Sequence, residues 1–199
     1  MITSIKFAVF GTQGAGKTTL LDGLQGKFSA DGRYVPTTKS REVALGLLSD
    51  PQDVVFEAMD IPGDDLIFPS LCNAIIPDAR FVVFLVSALD LMRGKAVESG
   101  ARLRYIKCEI NKRPKQPGLI LLLTHKRDFI QAYGESHRSE VLSLAHRHFD
   151  KYTDKGYELF ELVDPADVDD IRLVLLKSFG LRYYIFGRYS YMNLLDGFF

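Results

Sequence analysis

Eight consecutive residues, Gly11-Thr12-Gln13-Gly14-Ala15-Gly16-Lys17-Thr18, match G-x-x-x-x-G-K-[ST] in full. Glycines in that pattern let a backbone wrap a polyphosphate and aim its N–H groups inward, and the positive end of the next helix adds to the attraction. Lys17 would reach the β- and γ-phosphates, and the Thr18 hydroxyl would ligate Mg²⁺. Thr19, at the start of the same helix, counts with the cofactor-binding residues. A chance glycine-rich turn is opposed by context: the apolar run Ile5–Phe10 precedes the motif, and the helical pattern Leu20, Leu21, Leu24 follows it.

Further residues of this chemistry recur downstream. Asp60-Ile61-Pro62-Gly63 is a D-x-x-G in which the Asp would hold Mg²⁺. Between the first helical pattern and the second apolar run lies Arg33-Tyr34-Val35-Pro36-Thr37-Thr38, where a threonine can close over Mg²⁺ and a γ-phosphate. Thr124-His125-Lys126-Arg127-Asp128 offers a carboxylate, Asp128, able to accept from the N1–H and 2-amino group of guanine, with the Lys126 stem lying along the base. Taken singly, D-x-x-G and K-x-D are weak patterns, a turn and a solvated charge cluster. In this order, each at the end of an apolar run, they support one another.

The elements that must position these residues are legible from periodicity. Short apolar runs at Ile5–Phe10, Val43–Leu48, Val54–Ala58, Phe81–Val86, Leu119–Leu123 and Leu159–Val163 read as strands. Helical spacing appears at Leu66, Leu71 and Ile75, at Leu103, Ile106 and Ile110, at Val141, Leu144, Ala145 and Phe149, and at Val168, Ile171 and Leu175. Alternation of the two predicts an α/β domain with a mostly parallel sheet covered by helices on both faces. The hairpin-like succession of the second and third runs predicts one antiparallel edge. In such a sheet ligands bind outside the carboxyl ends of the strands, where every motif above falls.

Composition sets outer bounds. The 199 residues suffice for one domain with a substantial core, and 47% apolar with 25% charged residues reads as globular. Formal net charge is zero, so the whole-chain balance points to neither nucleic acid nor an anionic surface. The two cysteines, Cys72 and Cys108, form neither a disulfide framework nor a metal site and suit a reducing compartment. No apolar stretch approaches the ~20 residues of a membrane helix. The expectation is a cytoplasmic protein without signal peptide, myristoyl or prenyl anchor, recruited to any membrane through a partner.

With its phosphate loop, D-x-x-G and K-x-D in this order, the sequence resembles the Ras-like small GTPases over roughly residues 5–179. The resemblance implies a three-layer P-loop G domain with a six-stranded sheet over 1–179, followed by a C-terminal extension over 180–199. It implies GTP/GDP and Mg²⁺ as ligands and two loops that switch between states. Gly11, Gly14, Ala15, Gly16, Lys17, Thr18 and Thr19 would then cradle phosphate. Thr37, or Thr38 if the loop is one residue longer, would match the first switch threonine, and Asp60 and Gly63 the second switch. Thr18, Thr37 and Asp60 make the implied metal set, while His125, Lys126 and Asp128 surround the base. A fifth motif should fall near Val163-Asp164-Pro165-Ala166, where no residue stands out.

Three positions depart from the family pattern. Gln13 stands where Ras-type proteins carry a glycine that leaves room for the attacking water, and Asp64 where they carry the glutamine that orients it. A carboxylate beside a γ-phosphate is repelled and lacks the amide donor, so both catalytic positions predict slow hydrolysis. Arg33 is a poorly placed compensating arginine. His125 replaces the asparagine of N-K-x-D, a form similar to that of the Rag/Gtr branch. D-x-P-G is similar to some Rag proteins and to the signal recognition particle receptor β subunit, an Arf relative.

His137, His146 and His148 invite a metal reading, but residues two apart on a helix point to different faces, and surface or capping roles are the simpler expectation. Lys112-Arg113-Pro114-Lys115 reads as a solvated basic cluster. The segment 180–199 carries Tyr183, Tyr184, Phe186, Tyr189, Tyr191, Phe198 and Phe199. Exposed, these would be a liability; they either fold back on the core or, with Arg182 and Arg188, dock on a protein partner. The function expected is a guanine-nucleotide switch or regulatory subunit, with a hetero-oligomer plausible, acting through its switch loops and tail. A structural pseudo-GTPase subunit is the alternative, and a P-loop nucleoside or nucleotide kinase, which would need an arginine-rich lid, a third.

Overall fold

The computed structural model describes residues 3–25, 41–45, 54–60, 67–124, 126–153 and 158–161. Its strands are β1 (Thr3–Gly11), β2 (Arg41–Leu45), β3 (Val54–Asp60), β4 (Phe81–Ser87), β5 (Gly118–Thr124) and β6 (Glu158–Glu161). They form one six-stranded sheet in the order β2-β3-β1-β4-β5-β6. All neighbours are parallel except β2 and β3, which run antiparallel from Arg41↔Asp60 to Leu45↔Phe56. The expected mostly parallel sheet with one antiparallel edge is the one observed.

Central strands of such a sheet are buried on both faces, which is why their sequences are continuous apolar runs rather than alternations. In β4 every residue from Val82 to Ser87 is buried, and in β5 every residue from Leu119 to Thr124. Alternate side chains serve opposite layers. Ala8, Phe10, Val82, Phe84, Val86, Leu121 and Leu123 belong to one core cluster, and Phe7, Val9, Val83, Leu85, Ile120 and Leu122 are buried outside it.

Helices α2 (Phe68–Ile75), α4 (Val97–Asn111), α5 (Lys126–Tyr133) and α6 (Arg138–Thr153) contribute to that cluster, with the short α3 (Ala88–Met92) between β4 and α4. Helix α4 inserts Leu103, Ile106 and Ile110 at the spacing the sequence shows, and α6 inserts Val141, Ala145 and Phe149, while Leu144 of the expected stripe is only half-buried and outside the cluster. Helix α2 begins at Phe68, with Pro69 in its first turn where a missing N–H costs nothing. Leu66 lies outside the described residues, as does the pattern Val168, Ile171, Leu175.

Helix α1 (Lys17–Leu24) packs against β1 and β3 through Leu20, Leu21 and Leu24, all essentially fully buried. Burial of each such leucine contributes about 1.5–3 kcal/mol, offset by the entropy of ordering the helix. The helix is thereby fixed with its N-terminus at the carboxyl end of β1. Strand β1 has β3 on one side and β4 on the other, so the chain reverses its winding there, and that is where open α/β sheets bind ligands.

Candidate phosphate and nucleotide site

The loop leaving β1 has a conformation that only its glycines make inexpensive. Gly14 and Gly16 have φ of +77° and +89°. Gly11 has φ of +153°, and a Cβ there would lie 2.8 Å from the Leu85 carbonyl oxygen of the neighbouring strand. An Ala15 N–H to Thr12 carbonyl bond of 3.2 Å closes the turn, with Gln13 and Gly14 exposed at its apex.

Gly16 is the N-cap of α1 and offers no capping side chain, and the first turn of α1 contains no acidic residue. The leading N–H groups of a helix have no intrahelical acceptor, so this end suits an anion. Lys17 is only 6% exposed, and its Nζ donates to the carbonyls of Gly11 at 3.1 Å and Thr12 at 2.8 Å. An ammonium has three N–H donors, and phosphate is among its natural acceptors. Thr18 is half-buried in the first turn and Thr19 is exposed beside it. These residues fit a polyphosphate.

The backbone brings three further predicted residues toward the same edge. Asp60 is the last residue of β3, with Val9 of β1 as its register partner. Lys126 opens α5 directly beyond β5, and Asp128 is exposed in that helix's first turn. Thr37, Thr38, Gly63, Asp64, His125, Arg33 and the segment 163–166 lie outside the described residues, as does the aromatic extension 180–199. Among the described residues no group of His, Cys, Asp and Glu is assembled to hold a metal.

His137, His148 and two residues of the basic cluster have local partners. His148 is half-buried, 3.4 Å from the Ser99 hydroxyl, and burial holds its pKa below the usual 6.5. His137 lies edge-on to Tyr133, and His146 is exposed. Lys112 and Arg113 of the basic cluster pair with Glu109, a carboxylate 4% exposed.

Two side chains to which the motifs assign no role hold the phosphate loop from behind. Thr124, wholly buried at the end of β5, has its Oγ1 3.1 Å from the Ala15 carbonyl and 3.2 Å from that of Val86. Arg102, 4% exposed on α4, donates from Nη1 to the Gly11 carbonyl at 3.3 Å. The available signals were faint: Thr124 is a polar residue ending an all-apolar run, and Arg102 is a charge four residues before Ile106 on the helix's apolar stripe.

A model of the ADP-ribosylation factor (Arf) family matches residues 2–163, and the chain belongs to that family. It is a G domain of the Ras-like small-GTPase superfamily, and the family match falls on the Arf side of the branches its motifs resemble. A search of curated proteins by sequence returned no match. Among solved structures, the chain is similar to the Arl6 BBS3 small GTPase from Trypanosoma brucei with a bound GppNp analogue, at 12% identity and a TM-score of 0.62, covering 90% of this chain and 99% of that one. It is also similar to the translation elongation factor SelB from Methanococcus maripaludis in complex with GppNHp (14% identity, TM-score 0.64, 90% of this chain). A bacterial selenocysteine-specific elongation factor EF-Sec matches at 18% identity and a TM-score of 0.63, again over 90% of this chain. The chain spans only 34% and 29% of these two elongation factors. At such identities the likeness is one of fold.

Proposed function

We propose that the chain binds GTP and GDP with Mg²⁺, hydrolyses GTP slowly, and acts through protein partners. The observation that carries the nucleotide reading is the buried Lys17 ammonium, held on the Gly11 and Thr12 carbonyls at the uncapped N-terminus of α1. Phosphate would sit among the loop N–H groups and Lys17, with Thr18, Thr37 and Asp60 as the metal ligands. Bound Mg²⁺ would neutralise charge on the phosphates. Lys126 and Asp128 would select guanine. Family membership and the nucleotide analogues bound by two of the structural relatives support this reading.

Slow turnover rests on Gln13 and Asp64. Gln13 is exposed at the apex of the loop, where a side chain stands beside the phosphate site instead of a glycine. It also favours a second reading, a structural subunit that holds nucleotide permanently or not at all. Partners would engage the switch loops and the aromatic 180–199 segment, in a cytoplasmic assembly.

The test is to denature the purified protein and identify the released nucleotide by chromatography. Retained GTP supports a site that binds and barely hydrolyses. Released GDP supports binding and turnover despite Gln13 and Asp64, and favours the switch over the structural subunit. An empty site, with no melting shift on adding GTP and Mg²⁺, overturns the proposal in favour of the structural subunit.

A further inference from the structure

We propose that Arg102 is a positioning residue for the phosphate loop, setting the Gly11 carbonyl, and through it the Lys17 ammonium, for phosphate. This builds on the phosphate role proposed for Lys17. One oxygen, that of Gly11, accepts from both Lys17 Nζ at 3.1 Å and Arg102 Nη1 at 3.3 Å. A carbonyl with both lone pairs engaged cannot swing, so the ammonium hydrogen-bonded to it has a defined position.

The guanidinium is itself fixed on three sides. Its Nη2 pairs with Glu98 at 2.8 Å, one turn earlier on α4, and its Cζ lies 5.0 Å from the centroid of the Phe68 ring. Phe68 is the first residue of α2 and meets Phe10, the neighbour of Gly11, edge-on at 5.8 Å. Arg102 thus joins the end of β1, the start of α2 and the start of α4. Only a planar fork can serve a carbonyl, a carboxylate and an aromatic face together.

There is also an electrostatic consequence. Lys17 and Arg102 place two cations on one oxygen, and Glu98 pairs with Arg102. A polyphosphate adds negative charge beside this pair, so Arg102 favours phosphate without touching it. The effect acts through phosphate and should be indifferent to the base.

The experiment uses the full chain stripped of nucleotide, with Mg²⁺ present. Affinities for GDP, for a non-hydrolysable GTP analogue and for the corresponding adenine nucleotides are measured on wild type, Arg102→Met and Arg102→Lys, together with apo melting temperatures. Arg102→Met should lose about tenfold in affinity for GDP and the GTP analogue, the scale of one hydrogen bond to a charged group. The guanine-to-adenine ratio should stay at the wild-type value. Arg102→Lys keeps the charge but not the fork and should fall between the two. A lower melting temperature with unchanged affinity would mean a purely structural role and overturn the inference while leaving the nucleotide reading intact. If Arg102→Met does not fold, Arg102→Lys decides alone, wild-type affinity overturning the inference and a several-fold loss supporting it. A wild-type chain that binds no guanine nucleotide overturns both.

Discussion

Replacing Thr124 by valine would separate shape from hydrogen bonding at the junction of β5 and the phosphate loop. The side chain is 0% exposed, and its single hydroxyl proton serves the Ala15 carbonyl at 3.1 Å or that of Val86 at 3.2 Å. Val86 lies within the β4–β5 ladder, so the loss falls chiefly on Ala15, which belongs to the loop. Removing a buried donor costs about 1–3 kcal/mol. The methyl that takes its place returns up to about 0.8 kcal/mol. Thr124→Val should therefore be less stable by about 1–2 kcal/mol in urea unfolding, or about 2–8 °C in melting temperature for a domain of this size. Nucleotide affinity should fall with it, because the loop loses a tether. Thr124→Ser keeps the donor and should bind nucleotide as wild type does. A Thr124→Val protein as stable as wild type, with unchanged affinity, would refute the tether.

Other perturbations have equally definite outcomes. Gly11→Ala forces a Cβ to 2.8 Å from the Leu85 carbonyl and should be much more destabilising in urea unfolding than Gly14→Ala, where the added carbon meets nothing within 4 Å and the cost is only backbone strain, about 1–2 kcal/mol. Burial, reinforced by the Glu109 charge against the opposing charge of Arg102, pushes the Cys72 thiol up to about 12, so at pH 8 a thiol reagent should label exposed Cys108 and spare Cys72 until the chain unfolds. Burial lowers the pKa of His148 from 6.5 against the opposing Ala96 carbonyl bond, with the Lys151 charge adding to the lowering. The unfolded chain then binds the proton more readily, and stability should fall as pH drops below about 6.5. His148→Gln should flatten that slope in unfolding measured between pH 7 and 5.

The fold was legible wherever burial was two-sided. The runs Phe81–Val86 and Leu119–Leu123 became β4 and β5 with an added residue or two at the ends, because a strand covered on both faces has no polar alternation to blur its limits. Edge strands were read less sharply. The run Val43–Leu48 suggested a later start than β2, which begins at Arg41 because pairing to Asp60 of β3, not apolarity, sets that end. Helices α3 and α5 carry no legible periodicity: α3 is five residues, held at its start by Ser87 accepting from the Asp90 N–H, and the charges of Lys126–Asp128 mask α5.

The phosphate loop was legible for a different reason. Backbone geometry there depends on glycines at fixed spacing, and spacing is visible in a sequence. Arg102 and Thr124 reach the same loop across 91 and 109 residues. No local pattern carries contacts of that range.

The proposed site is guanine-selective and built on Lys17 and Asp128. Its most direct test is calorimetric titration of the nucleotide-stripped chain, in Mg²⁺, with a GTP analogue, the matching ATP analogue and xanthosine triphosphate, for wild type and Asp128→Asn. Wild type should prefer the guanine nucleotide over the adenine one by about two orders of magnitude or more, since a site that hydrogen-bonds a base rejects one lacking those groups. Asp128→Asn should lose guanine affinity and shift toward xanthine. Equal affinity for guanine and adenine nucleotides, or guanine selectivity untouched in Asp128→Asn, would contradict the account.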